Sequence, residues 1–103
     1  MNSASREELI ETTLTDLFDR VAHCGMGDGE ELITALSELE KLATDSYLLE
    51  KIGEALDWAK SLSDGKITGE ESLHAFEALK ASLYKAANRA SQLRRDKNTD
   101  WKQ

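Results

Sequence analysis

Residues 30–62 read EELITALSELEKLATDSYLLEKIGEALDWAKSL, and the phase of their apolar positions decides the fold. No Gly or Pro interrupts residues 30–52, so one long helix is the first possibility to weigh. At 100° per residue, Leu32, Leu36, Leu39 and Ala43 gather in one direction. Carried on in the same register, Ile52, Ala55, Leu56 and Ala59 point nearly the opposite way. A straight helix would then need two cores on two sides. Thr44, Asp45 and Ser46 are three successive capping residues at the place where the phase turns over. The sequence therefore predicts two helices, one opening at Asp28 with Glu31 as its capping-box partner and one over Ser46–Leu62, with a break or sharp kink between them.

The flanks extend the pattern. Ser5 and Glu8 form a capping box ahead of Leu9, Ile10, Leu14, Leu17, Phe18 and Val21, the spacing of one buried helical face. Gly25, Gly27 and Gly29 end that helix near Cys24. After the turn Ser63-Asp64-Gly65-Lys66, Thr68 and Glu71 make a third box. The helix it opens is expected from Gly69 to Arg95, about 40 Å long. Phe76, Leu79, Leu83, Ala86, Ala90 and Leu93 recur at alternating spacings of three and four. That is a heptad seam, which favours left-handed packing near 20°. Composition agrees: 15 Leu and 12 Ala against 4 Ile, 1 Val and no Pro favour helix over sheet. The expected fold is all-α, an antiparallel four-helix bundle with a long C-terminal helix. A three-helix core with a protruding fourth helix is the second choice. Residues 1–95 form the single domain and residues 96–103 a polar, frayed tail. An apolar seam that outruns its neighbours also suggests a homodimer through the C-terminal helix.

Charge is divided unevenly. Met1–Leu79 carries 18 acids and 6 bases, and Lys80–Gln103 carries 2 acids and 7 bases. Such a split concerns partners and solubility rather than fold. The start MNSASREELI has no apolar run and no basic bias, no stretch approaches 18 apolar residues, and the lone Cys24 has no internal disulfide partner. A cytoplasmic location, without membrane contact, is the expectation.

No motif here carries chemistry. Cys24-Gly25-Met26-Gly27-Asp28-Gly29 looks like a phosphate cradle, but it follows a helix and is lined by Asp28, Glu30 and Glu31. Asp64 to Glu71 resembles the second half of an EF-hand loop. The position-1 and position-3 ligands would then be Lys60 and Leu62, which offer calcium no carboxylate. His23 and Cys24 are adjacent and diverge by about 100° on a helix, which is poor metal geometry. The acid pairs Glu7/Glu8, Glu30/Glu31 and Glu70/Glu71 sit in first turns, where the helix dipole favours them. No catalytic residue, cofactor or metal is expected.

What remains points to contact with a protein. Lys85, Arg89, Arg94 and Arg95 gather near the end of the last helix. Trp58 sits at the edge of its helix's apolar face beside Tyr47 and Lys51, and Trp101 lies in the polar tail. These six are the expected partner-binding residues. No aromatic residue interleaves Lys85 and Arg89, and the acidic body repels phosphate, so direct nucleic-acid binding is not expected. The expected function is a small acidic, non-catalytic protein-interaction module: a regulator, adaptor or inhibitor. The alternative is an acidic decoy that mimics nucleic acid, or an immunity-type inhibitor of a basic nuclease or DNA-binding protein, as phage anti-defence proteins act as a class.

Overall fold

The helix that opens at residue 30 stops at Leu42, and the next one begins four residues later, at Ser46. In the computed structural model, which describes residues 3–25 and 29–100 and the side chains of 6–25 and 29–96, the chain forms four helices. They are α1 (Ser3–Cys24), α2 (Glu30–Leu42), α3 (Ser46–Ser63) and α4 (Glu70–Asp100). The turn-over of phase is a true break. Ala43 leaves the helix with an extended backbone (ψ 142°), and the Asp45 carboxylate accepts the Leu48 N–H at 3.0 Å, capping α3.

Around the bundle α1 neighbours α4, α4 neighbours α3, α3 neighbours α2, and α2 touches α1 only thinly. The diagonal pairs α1/α3 and α2/α4 make no backbone approach within 8 Å. This is the square of an antiparallel up-and-down bundle. Cross-links set its register. Phe18 lies against Tyr84 and Glu11 pairs with Arg94, so α1 runs antiparallel to α4. Asp45 pairs with Arg89 and Glu54 with Ser82, so α3 does the same. The two registers are offset. Helix α3 covers the first part of α4 and α1 the second, and all three run abreast only around residues 80–89 of α4. At 31 residues, against 22, 13 and 18 for the others, α4 is the spine of the bundle.

The core is Leu-rich. Ile10, Leu14, Leu36, Leu48, Ile52, Leu79 and Leu83 are its largest fully buried side chains. The expected seam of α4 holds at Leu79, Leu83, Ala86 and Ala90, while Phe76 and Leu93 are only partly buried. Ala75 and Ser82 share the buried face, and the Ser82 hydroxyl donates to Glu54 at 3.3 Å.

Helix starts differ from expectation. Helix α1 begins upstream of Ser5, so Ser5 stands inside the helix rather than at its cap. Asp28 lies outside the described residues, and α2 opens two residues after it. Its cap is Gly29 in the left-handed region (φ 82°), with no side-chain hydrogen bond. Before α4 the corresponding residue is Gly69 (φ 62°), not Thr68. Its carbonyl accepts the Ser72 and Leu73 N–H groups and the Ser72 hydroxyl. A β-branched threonine resists a positive φ that glycine adopts at no steric cost. At its far end α4 runs five residues past the expected Arg95.

Candidate functional site

The bundle leaves the outward side of α4 open. Ala81, Tyr84, Asn88 and Gln92 recur there at spacings of three and four, so they form one exposed ridge. A groove lies on each flank of it.

On the α3 flank, Tyr47, Lys85, Asn88, Arg89 and Gln92 line a groove of about 440 Å³. Helix α3 contributes a stripe at helical spacing, Tyr47, Lys51, Glu54 and Trp58. Tyr47 and Trp58 are 44% and 38% exposed, large values for aromatic side chains. Most of the charge here is matched within the chain. Arg89 donates to both Asp45 oxygens, at 2.8 and 3.0 Å, a two-pronged pair. That contact, with the Leu48 N–H, holds the Asp45 carboxyl down to about 2 and raises Arg89 above its ordinary value. Lys51 sits 5.4 Å from the centre of the Tyr47 ring and bonds Glu54, which raises its pKa. Lys85 is exposed and has no carboxylate partner among the described residues. The groove therefore offers one open ammonium, two side-chain amides and an aromatic ring. That set has the donors to hydrogen-bond an anionic group and a ring to pack against apolar surface.

On the α1 flank, Glu8, Glu11, Thr12, Thr15, Asp16 and Asp19, with Arg94, line a groove of about 500 Å³. Arg94 donates to Glu11, and this contact, with the Ser91 hydroxyl, lowers the Glu11 pKa and raises that of Arg94. Asp19 is exposed at the far end of this lane.

The six expected partner-binding residues thus separate. Lys85 lines the α3-flank groove with open surface, and Trp58 is exposed further along α3, outside that lining. Arg89 and Arg94 are engaged within the chain, one on each flank. Arg95 is exposed on α4 and interacts within the chain. Trp101 lies outside the described residues. Sequence reasoning did not single out Asn88 and Gln92, and it used Tyr47 only as a neighbour of Trp58. Two signals were available: the eleven-residue, three-turn interval from Tyr47 to Trp58, and the second periodic stripe Ala81-Lys85-Asn88-Gln92 behind the buried one.

Cys24 is exposed and free. No group of three or more His, Cys, Asp or Glu side chains among the described residues is placed to hold a metal ion. No described helix is long and apolar enough to cross a membrane. No protein-family model, curated protein or solved structure matches the chain.

Proposed function

We propose that this chain is a non-catalytic protein-binding module that docks its partner on the outward face of α4, with the α3-flank groove at the centre. One observation carries the reading: the exposed Tyr47 ring shares a groove with the unpaired Lys85, and the exposed Trp58 stands on the same stripe of α3 three turns further on. Contact energy between proteins concentrates in such aromatic anchors beside a few polar groups. The matched pairs around them, Arg89–Asp45 and Lys51–Glu54, hold the rim in place and leave Lys85 to meet a carboxylate of the partner.

The test is a photo-crosslinking residue placed at Trp58 and, as control, at Lys60, which turns toward the α2 side of α3. The reading expects protein adducts from position 58 and none from position 60. Equal adducts at both positions, or none at either, overturn it. The decoy reading rests on the acidic lane of α1, where Glu8, Asp16 and Asp19 lie along one groove with Glu11 tied to Arg94. It requires that association with a basic nucleic-acid-binding protein weaken steeply with added salt.

A further inference from the structure

We infer that the occupant of this face is a second copy of the same chain, related by a two-fold axis that runs parallel to α4 just in front of its exposed ridge. This rests on the reading of that face as a docking surface. It starts from the fact that the two grooves flanking α4 are opposite in character. One offers the unpaired Lys85 with the amides of Asn88 and Gln92. The other presents Glu8, Asp16 and Asp19.

The grooves also overlap in height along the helix. Phe18 of α1 lies 5.7 Å from Tyr84, ring centre to ring centre, which sets the level of α1 against α4. Lys85 follows Tyr84 and Asp19 follows Phe18 on antiparallel helices, so these two charged residues lie about 3 Å apart in height, on opposite flanks and within reach of a long side chain. Tyr47 of α3 lines the same groove as Lys85.

A two-fold axis parallel to α4 keeps every residue at its height and exchanges the flanks. It sets Asp19 of each copy over Lys85 of the other, twice, as a closed two-fold interface requires. The ridge between them carries Tyr84, 54% exposed, and the small Ala81, which leaves room for a ring from the opposite copy. The interface then has a central aromatic contact and a charged rim, the usual layout of a specific protein contact.

A single pair of charges tests this. Lys85 and Asp19 are both exposed and have no side-chain ion pair among the described residues, so their exchange leaves the bundle intact, which circular dichroism verifies. By sedimentation equilibrium the wild-type chain is expected to be a dimer. Lys85→Glu places like charges opposite each other and is expected to weaken the dimer at least tenfold. Asp19→Lys is expected to do the same, even though it moves the net charge of −7 toward zero. Mere relief of overall repulsion predicts the opposite. The double variant, Lys85→Glu with Asp19→Lys, restores association to within about threefold of the wild type. A wild-type chain that stays monomeric at millimolar concentration overturns the inference, and so does a double variant no better than the singles. A monomeric chain that still gives adducts with another protein from position 58 leaves the docking surface standing and removes only its identification with a second copy.

Discussion

Each flank of α4 is fastened by one arginine, yet the two fastenings are not equivalent. On the α3 side, Asp45 receives two guanidinium hydrogen bonds from Arg89 and also caps the helix that follows it. On the α1 side, Glu11 lies within its helix and meets Arg94 with no cap to serve. The first carboxylate couples the start of one helix to the side of another. The second adds an equally half-buried pair, without a cap, to a seam already closed by Ile10, Leu14 and Leu17. A charge pair matters more to a fold when one partner also completes backbone hydrogen bonding, because its loss then strands a donor as well as a cation.

Substitution sharpens the contrast. The largest effect falls where both flanks depend on one residue. Leu83 is fully buried where α1, α4 and α3 run abreast, and Leu83→Ala is expected to cost about 3 kcal/mol in urea unfolding. Asp45→Ala removes a cap and a partly buried ion pair together, with an expected loss of about 1–2 kcal/mol. Asp45→Asn keeps a capping oxygen and is expected to recover about half of that.

The pair also sets an acid dependence. The folded carboxyl of Asp45 lies near 2, below its ordinary 3.8. Its contribution is therefore fully present above about pH 4 and drains away as the pH falls toward 2. The gap in stability between wild type and Asp45→Asn is expected to close over that interval. A gap that persists at pH 2 separates the cap from the charge. Smallest is Glu11→Ala, expected below about 1 kcal/mol and diminished further by salt. Should it match Asp45→Ala, the distinction between the flanks fails.

The break before Ser46 was legible because two apolar faces cannot share one straight helix, and three capping residues mark the join. The α4 seam was legible because its heptad spacing persists over many residues. Two helix starts were misplaced for a common reason. At Gly29 and Gly69 the chain enters the helix through a left-handed residue whose carbonyl, rather than a side chain, begins the hydrogen-bond ladder. Side-chain capping patterns leave no mark of that. The candidate site was half legible. Trp58 and Lys85 stand out on their own helices, but the groove that Lys85 shares with Tyr47 needs the register of α3 on α4. Asp45 and Arg89, 44 residues apart, meet only once that register exists. The same pairing withdraws Arg89 from the basic strip that its neighbours in sequence suggest.

The spine arrangement also orders events during synthesis. Helix α1 rests chiefly on the distal part of α4, and the contact between Glu11 and Arg94 spans 83 residues. Until the ribosome releases that distant segment, Ile10, Leu14, Leu17 and Val21 have only the thin edge with α2 to shelter them. Closure of the bundle therefore waits until α4 has left the ribosome. The nascent chain meanwhile carries the uncovered apolar stripe of α1, a site for chaperones to guard and for premature aggregation to exploit.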